Sequence, residues 1–306
     1  GRHTPRCRGV DAGSGLMIFD DLGAAVSLDH SLLSGSPADA RTAMIGYVRR
    51  LGALHAATAG RLQVWDDVVA ELGAPVELLT DRVLEQDGLA LDRGLAGLDG
   101  HLRDLGLPAP GDELAAELET IRTAVTRPGP FTVLVHQDPC PDNVVLTPSG
   151  VRLIDFEFAH PGHALIDGLY PQLPFPTCWC CNTVPDDLGA ELAAGYRQEL
   201  ITGVPEAADD DRYADATANL MAYWLISGFE WVFTDVLIES RTWGIASTRS
   251  RILSRLAAFA GESRRTGRLP ALGRLAADLQ RVLADRWQQE GPLPVYPAFR
   301  GSYPSP

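Results

Sequence analysis

The chain has 306 residues, of which 45% are hydrophobic, so it can bury the core of one large domain or of two modest ones. Its net charge is −14 and all 26 of its basic residues are arginine, which argues against nucleic acids and anionic membranes as partners because both require clustered basic side chains. The amino-terminal residues lack the apolar segment of a secretory signal, and the longest charge-free apolar stretch of the helical region, residues 216–229, is shorter than the about 20 residues that cross a bilayer. We expect a cytoplasmic protein, and nothing in the sequence indicates a protein partner.

The start of the chain is rich in glycine. Residues 9–15 contain three glycines and precede an apolar run that begins at Leu16, which favours a hairpin turn between two strands. A phosphate-binding loop is the alternative interpretation, but neither a helix nor a lysine follows these glycines, so we favour the hairpin.

Helical signals dominate the next hundred residues. A helix is predicted for Pro37–Thr58, with Ser36 as its cap, and another for Asp112–Thr126. We interpret residues 60–110, between them, as an insertion whose helical pieces are interrupted by Gly88, Gly94, Gly97, Gly100, Gly106, Pro108 and Pro110.

Three short apolar runs then surround a polar loop. Residues 131–135 are rich in β-branched side chains and predict a buried strand that ends as the loop begins. The runs 144–146 and 151–154 are separated by Thr-Pro-Ser-Gly, which has the composition of a hairpin turn. Such a strand and hairpin would bring Asn143 close to Asp155.

The loop contains the residue types that phosphoryl transfer requires. Asp138 follows His136 by two positions and precedes Asn143 by five, and Asp155 opens an Asp-Phe pair twelve residues later. In kinases this spacing supplies a carboxylate that orients the attacking hydroxyl, with an amide and a second carboxylate that hold Mg²⁺ against the nucleotide phosphates. We predict Asp138 as the catalytic base, Asn143 and Asp155 as metal ligands, and His136 as a brace of the loop.

Three of the five cysteines lie in the sequence Cys178-Trp179-Cys180-Cys181. A structural zinc site would need a second pair of cysteines or histidines, and none accompanies this one. An odd number of cysteines in a cytosolic protein favours free thiols, several of them buried. Cys140 lies inside the loop, so we expect a thiol reagent to block the loop there without Cys140 being a nucleophile.

Four further helices are predicted by apolar spacing, at residues 186–202, 209–239, 246–265 and 269–289. The second of them is aromatic on nearly every side, which is typical of a core helix. The functional alternative is an aromatic wall of an acceptor pocket, in which Glu230 or Asp235 would meet a substrate amine. Residues 292–306 are rich in proline and aromatic residues, and we expect an extended tail on the surface.

Residues around the motif resemble the aminoglycoside phosphotransferase and choline kinase group, the small-molecule kinases with a protein-kinase-like fold. The sequence Asp-Phe-Glu-Phe at 155–158 replaces the Asp-Phe-Gly of protein kinases, and Gln137 stands where this group usually has glycine. Segments 161–168 and 51–56 resemble the group's Pro-x-x-x-Asp-Leu segment and the helix end that precedes its catalytic loop. The resemblance implies an α+β, protein-kinase-like protein that uses Mg²⁺ and ATP or another nucleoside triphosphate to phosphorylate a small molecule.

The same resemblance assigns roles outside the motif. Backbone groups near Asp20 and Leu22 would meet adenine, and Glu157 would orient a metal-bound water or the acceptor. Asp167 would hold the catalytic loop by accepting hydrogen bonds from the backbone of the loop, and His55 would be packed rather than reactive.

The resemblance also implies how the chain is divided. Residues 1–24 would be the end of an N-terminal lobe, reduced to a short β-hairpin, with the hinge. Residues 25–306 would form the mostly helical C-terminal lobe, with the catalytic region at 131–168. Complete kinases of this type cover the phosphates with a Gly-rich loop and a strand lysine, and this sequence contains no lysine. We therefore expect most of the N-terminal lobe to be missing, either because the chain is a fragment or because it is a natural remnant.

Two other functions fit parts of the sequence. The missing loop and lysine leave open a catalytically incomplete protein that binds ligands without turnover. A metal-dependent phosphohydrolase would use His136, Asp138, His160 and His163. The residues between His160 and His163 are typical of a loop, so their spacing allows both histidines to bind one metal ion but does not require it. Such a hydrolase would release phosphate without an acceptor and would bind a transition metal.

Overall fold

Helices form most of the chain, and short antiparallel pairs of strands lie between them. The computed structural model describes residues 1–11 and 13–300. Its helices are α1 (Leu28–Ser34), α2 (Pro37–Thr58), α3 (Leu62–Glu71), α4 (Thr80–Leu95), α5 (Leu98–Asp104), α6 (Asp112–Thr126), α7 (Leu165–Gly168), α8 (Asp186–Leu200), α9 (Asp210–Ser227), α10 (Phe229–Trp231), α11 (Thr248–Thr266) and α12 (Pro270–Arg286). Its strands are β1 (Cys7–Asp11), β2 (Leu16–Phe19), β3 (Val26–Ser27), β4 (Thr132–Val135), β5 (Val144–Thr147), β6 (Gly150–Leu153), β7 (His160–His163), β8 (Thr242–Trp243) and β9 (Ala246–Ser247). None of the helices in this part of the chain combines the length and the apolar character needed to cross a bilayer.

Two strand pairs carry the loop that follows β4. Strand β4 pairs antiparallel with β7, and β5 pairs antiparallel with β6 and, on its other side, with β3. The predicted strand and the predicted hairpin are therefore confirmed. The side chains that anchor these strands in the core are Val133, Val135, Val144 and Leu153, all fully buried.

The amino-terminal hairpin lies on the surface. Strand β1 pairs antiparallel with β2, which confirms the predicted hairpin, although Ala12 of its turn lies outside the described residues. About half of each apolar side chain of this hairpin is exposed, namely those of Val10, Leu16, Met17, Ile18 and Phe19. The hairpin therefore adds little to the hydrophobic core.

Helix α2 begins where the sequence predicts and carries His55 in its last turn. The Ser36 hydroxyl accepts a hydrogen bond from the Asp39 N–H at 3.2 Å and so caps the helix. The face of α2 toward the core is fully buried at Met44, Tyr47 and Leu51. On the side toward α8, a Cβ at Gly52 would lie 2.6 Å from the carbonyl oxygen of Tyr196. The glycine thus lets the two helices approach closely, and His55 follows one turn later at the site.

The interruptions predicted at Gly88 and Gly94 are wrong, because both residues lie inside α4. Their small size serves helix packing instead of a break. A Cβ at Gly88 would lie 2.8 Å from Cγ2 of Thr126 in α6, and a Cβ at Gly94 would lie 1.9 Å from the carbonyl oxygen of Ile226 in α9. Glycine at these two positions allows α4 to pack directly against both helices.

The chain does break at Gly97 and Gly106, where φ is +70° and +72°, values that glycine adopts without strain. Helix α5 lies between them and contains Gly100, so the interruption predicted at Gly100 is also wrong. Buried side chains of α4 and α5 belong to the same hydrophobic core as the rest of the chain, among them Leu91, Leu98 and Leu102. The region that we interpreted as an insertion therefore shares that core along α4 and α5.

The helix predicted for residues 209–239 is shorter than expected. Helix α9 ends before Gly228, and α10 and a π-helical turn at Val232–Val236 follow. Arg255 of α11 explains this end, because its guanidinium donates to the Trp224 carbonyl at 3.2 Å and occupies the space beside Gly228. The core interpretation is confirmed for the buried aromatic residues Tyr223, Trp224, Phe229 and Phe233.

The prediction of a surface tail at 292–306 is wrong for the part that the structure describes. The Thr183 N–H donates to the Pro294 carbonyl at 2.9 Å, and the Tyr296 N–H donates to the Thr183 carbonyl at 3.0 Å. The segment is anchored by the buried side chains of Leu293, Tyr296, Ala298 and Phe299. Burial of these large apolar groups is favourable enough to draw the segment onto the core. Residues 301–306 lie outside the described residues.

Gly94→Ala should destabilise the protein, because the new methyl group would overlap the Ile226 carbonyl oxygen and push α4 away from α9. We expect the free energy of unfolding to fall by about 1–3 kcal/mol. Gly100→Ala in α5 is the matched control, since the nearest atom to its Cβ is 4.0 Å away, and better helix propensity should stabilise it by up to about 1 kcal/mol. Urea unfolding measures both, and equal effects of the two substitutions would contradict the packing role of Gly94.

Candidate active site

A buried carboxylate fixes the loop that follows β4. Asp167 of α7 is fully buried and accepts hydrogen bonds from the N–H groups of His136 at 2.6 Å and Gln137 at 3.0 Å. His55 Nε2 donates to the same carboxylate at 3.1 Å. Burial alone would raise the pKa of Asp167, but the hydrogen bond from His55 and the neighbouring histidines outweigh burial and lower it. The structural role predicted for Asp167 and the packed environment predicted for His55 are confirmed.

Two residues of the site have a left-handed backbone. Gln137 has φ +69° and Asp155 has φ +64°, a conformation that costs a residue with a side chain roughly 1–2 kcal/mol. The glycine that the resemblance leads one to expect at Gln137 would adopt it freely. Surrounding hydrogen bonds hold Gln137 in place, and such strain is typical of functional turns.

Asp138 lies at the carboxyl end of β4 and is half-buried. Its Oδ1 accepts a hydrogen bond from the Tyr170 hydroxyl at 3.2 Å and lies 3.5 Å from the Thr177 hydroxyl. Asn143 Nδ2 donates to the Asp138 carbonyl oxygen at 3.0 Å and to Oδ2 at 3.3 Å. Burial raises the pKa of Asp138, while the hydrogen bond from Tyr170 opposes this change. The structure therefore brings the predicted base and one predicted metal ligand into contact.

Sequence reasoning missed Tyr170 and Thr177. Both belong to the segment after α7, and their hydroxyls also hydrogen-bond to each other. They are separated from Asp138 by 32 and 39 positions. No local spacing signals a contact over such a distance, so only the fold reveals it.

His136 connects the loop to the segment that carries Asp155. Its Nε2 donates to the Ile154 carbonyl at 2.8 Å, and its ring packs on Phe156 with centroids 4.4 Å apart. The Ile154 N–H in turn donates to the Asn143 carbonyl at 3.0 Å. Asp155 is exposed and directly follows Ile154, whose N–H is hydrogen-bonded to Asn143. Amide and carboxylate oxygens at these two positions are ligands that suit Mg²⁺.

A disulfide joins Cys140 of the loop to Cys178, across a separation of 38 residues. The prediction of free thiols is therefore wrong for these two cysteines, because the fold brings them together from separate segments. The expected reaction of Cys140 with a thiol reagent is wrong for the same reason, since Cys140 has no free thiol. In the described part of the chain, Cys7, Cys180 and Cys181 are free, as predicted. Cys180 and Cys181 are buried, and burial raises the pKa of Cys181 to about 11, so its thiol is unreactive at neutral pH.

Two arginines of α11 hold the segment that carries Thr177 and Cys178. Arg251 donates to three backbone carbonyl oxygens, at 2.5 Å to Cys178, 3.2 Å to Trp179 and 2.6 Å to Trp243. Arg255 donates to the Pro176 carbonyl at 2.9 Å. Burial lowers the pKa of Arg255 to about 10, so the side chain stays protonated at neutral pH and continues to donate.

The three carboxylates predicted to meet the substrate are exposed: Glu157, Glu230 and Asp235. Glu230 of α10 pairs with Arg93 of α4, with Nε and Oε2 3.5 Å apart. Their role in substrate binding stays a prediction.

The residues predicted to meet adenine line a cavity of about 280 Å³ between the amino-terminal segment and the β5–β6 turn. Asp20 and Leu22 contribute to it on one side, and Thr147, Ser149 and Arg152 on the other. The Asp20 N–H already donates to the Arg6 carbonyl at 2.9 Å. Adenine contact near Asp20 and Leu22 therefore remains a prediction, and the Asp20 N–H is not free to serve it.

The four residues considered for a phosphohydrolase do not form a shared metal site. His160 and His163 occupy opposite ends of β7. His163 is buried, its Nδ1 accepts from the Leu165 N–H at 3.1 Å, and burial lowers its pKa to about 3. Within the residues that the structure describes, one group of three or more potential metal ligands lies close together, and it consists of Asp138, Cys140 and Cys178.

A carboxylate at a strand end, followed on a hairpin by an amide and a second carboxylate, is the arrangement of phosphotransferases of the kinase type. The family model described as phosphotransferase enzyme family matches residues 4–214. The chain belongs to this family, as its resemblance to aminoglycoside phosphotransferases and choline kinases predicted, and its helical α+β architecture agrees with the protein-kinase-like fold that the family implies. The match includes the whole loop and hairpin but ends within α9, before Glu230 and Asp235. A comparison with curated proteins found no significant match.

Asp167→Asn should destabilise the folded protein, because an amide cannot accept hydrogen bonds from all three of the N–H groups that the carboxylate accepts. We expect a loss of roughly 3–5 kcal/mol in the free energy of unfolding at neutral pH. The pKa of Asp167 is lowered by folding, so its stabilising contribution is present at neutral pH and disappears as the pH falls through the folded-state pKa. The difference from the wild type should therefore shrink in acid.

The control for this variant is Asp285→Asn, which changes an exposed carboxylate near the end of α12. Its unfolding free energy should stay within about 0.5 kcal/mol of the wild type. Denaturant unfolding at several pH values measures both variants. A loss at Asp167 no greater than that at Asp285 would show that the loop does not depend on this carboxylate.

Proposed function

We propose that the chain transfers the γ-phosphoryl group of ATP, or of another nucleoside triphosphate, to a hydroxyl of a small molecule. The observation that carries this proposal is the environment of Asp138. It is a half-buried carboxylate at a strand end, and Asp167 fixes the two residues that precede it. Membership in the phosphotransferase family supports the reaction class. The nucleotide and the acceptor are part of the proposal.

Each predicted residue has a chemical task in this reaction. Asp138 orients the acceptor hydroxyl and accepts its proton late, when the oxygen becomes acidic. Asn143 donates its Nδ2 hydrogen toward Asp138, which leaves its Oδ1 for a cation, and Asp155 supplies a carboxylate oxygen. When bound there, Mg²⁺ neutralises the charge on the phosphates. His136 braces the loop by holding the Ile154 carbonyl.

The acceptor class rests on charge. The chain has a net charge of −14, and Glu157, Glu230 and Asp235 are exposed carboxylates, a setting that favours an acceptor with amino groups. We include Asp20 and Leu22 as adenine contacts in the proposal. A cytoplasmic location is also part of it, because nucleoside triphosphates are the phosphoryl donors.

Asp138→Asn should lower the turnover number by on the order of 10²–10⁴, because the amide cannot accept the proton of the acceptor hydroxyl. Binding of the Mg²⁺ nucleotide should remain largely intact. Asp142→Asn is the matched control in the same loop, since Asp142 accepts a hydrogen bond from Trp179 Nε1 at 2.9 Å and the proposed reaction gives it no role. Nucleoside diphosphate release with a panel of hydroxylated amines and uncharged alcohols measures turnover, and ³¹P NMR identifies the phosphorylated product.

The same assay separates the proposal from its rivals. Equal turnover by Asp138→Asn and the wild type would refute the role of Asp138. Acceptor-independent release of phosphate would indicate a hydrolase. A wild-type chain that binds the Mg²⁺ nucleotide but phosphorylates no acceptor would favour a binding protein.

The rate of transfer should fall in acid at a pH above the usual range of aspartate, because burial raises the pKa of Asp138 and the protonated carboxyl group cannot accept a proton. Tyr170→Phe removes a hydrogen bond that lowers this pKa, so the acid limb of kcat/KM should move to still higher pH. Tyr213→Phe is the control, since the ring of Tyr213 packs under Arg197 and away from the loop. An acid limb that is the same in all three proteins would contradict the assignment.

A further inference from the structure

The disulfide of the loop lies directly against the predicted catalytic carboxylate. Cys140 Sγ is 3.0 Å from Asp138 Oδ1. The Tyr170 hydroxyl lies 3.4 Å from Cys140 Sγ and 3.5 Å from Cys178 Sγ. One ligand atom from each of Asp138, Cys140 and Cys178 can be chosen so that all three lie within 4.8 Å of one another.

We propose that Asp138, Cys140 and Cys178 form a binding site for a thiophilic divalent cation of the Zn²⁺ type when the disulfide is reduced. Two thiolates and a carboxylate are a donor set that Zn²⁺ prefers, whereas Mg²⁺ prefers oxygen alone. With Zn–S distances of about 2.3 Å, tetrahedral geometry requires the two sulfurs to lie about 3.8 Å apart. In the oxidised protein the two sulfurs are bonded to each other, so after reduction they have to move apart, which rotation of the two cysteine side chains about their Cα–Cβ bonds allows. Tyr170 or a water molecule can complete the coordination.

Reduction creates the ligands. The thiolate of a dithiol reductant attacks one sulfur of the Cys140–Cys178 bond, and its second thiolate then displaces that cysteine. The reductant leaves as a disulfide, and the protein gains two electrons and two protons as two thiols. Binding of the cation then releases those two protons, because the thiolate is the form that ligates metals. The oxidised pair has no thiolate to offer, so only the reduced protein binds.

The approach to this site is from the side of Asp138. Cys140 and Cys178 are buried, whereas Asp138 is half-buried and forms the open edge of the cluster. A cation that enters there occupies the carboxylate oxygens that would orient the acceptor hydroxyl. Bound Zn²⁺ should therefore inhibit transfer in the reduced protein but not in the oxidised one. This inhibition rests on the proposed function, whereas binding of the cation does not.

Co²⁺ is a suitable probe, because a thiolate ligand gives it an intense charge-transfer absorption that oxygen ligands do not. We expect this absorption when Co²⁺ is added to the dithiol-reduced wild type after the reductant is removed without oxygen. The oxidised wild type should lack it, and Zn²⁺ should displace Co²⁺ and abolish it. Absence of the band in the reduced protein, or equal bands in both forms, would overturn the proposal.

A pair of variants locates the ligands. Cys178→Ser in the reduced protein should weaken Co²⁺ binding by more than about 10-fold. Loss of a residue that only hydrogen-bonds to a metal ligand already costs about that much, and here a ligand itself is lost. Cys181→Ser should bind as the wild type does, because this neighbouring buried thiol lies outside the cluster. Unchanged binding by Cys178→Ser would refute the assignment, and the comparison of oxidised and reduced wild type tests it if this variant does not fold.

The activity arm distinguishes failure of the site from failure of the proposed function. Loss of turnover on adding Zn²⁺ to reduced protein, with the oxidised protein unaffected, supports both. A charge-transfer band without any loss of turnover would support the cation site and refute the role of Asp138 in transfer. Inhibition that is equal in the two redox forms would overturn this site as its cause.

Discussion

The hydrogen bonds that Asp167 accepts from two successive backbone N–H groups turn the chain at the end of β4. The turn needs a left-handed backbone at Gln137, which is costly for a residue with a side chain. The Asp167 carboxylate is fully buried and accepts hydrogen bonds from three N–H groups, which together are strong enough to hold Gln137 in this conformation. Helix α2 contributes through His55, so its packing against α8 also bears on the geometry of the loop. The direction in which Asp138 points thus depends on a residue that no substrate needs to touch.

Asp138 is held from a second side by the segment after α7. Tyr170 and Thr177 approach its Oδ1, and the disulfide attaches Cys178 of the same segment to the loop. Burial raises the pKa of the carboxylate while the Tyr170 hydroxyl lowers it. On the Asp167 side a side-chain carboxylate holds backbone N–H groups of the loop. On the Tyr170 side, side-chain hydroxyls contact the Asp138 carboxylate itself.

The sequence predicted those parts of the protein in which local pattern and local structure coincide. The β4 strand, the β5–β6 hairpin and α2 have clear periodicity and caps, and the structure contains them. The breaks predicted at Gly88 and Gly94 were wrong because glycine both interrupts helices and allows two helices to pack closely. Only the position of the partner helix shows that close packing is its role at these two positions. The buried carboxy-terminal segment and the contact of Tyr170 with Asp138 depend on pairings between distant positions. The bond between Cys140 and Cys178 belongs to the same class, since composition suggested free thiols and only the fold brings the two sulfurs together.

Arg251 serves three carbonyl oxygens with one side chain, which a single-headed ammonium group could not do with the same geometry. The chain uses arginine throughout and has no lysine. Its cationic contacts therefore stay charged over the whole physiological pH range. The sequence also offers no side-chain amine to acetylation, to ubiquitin conjugation or to amine-directed crosslinkers. Thiol-directed labelling avoids this limit, and the exposed Cys7, far in sequence from the loop cysteines, is the natural point of attachment.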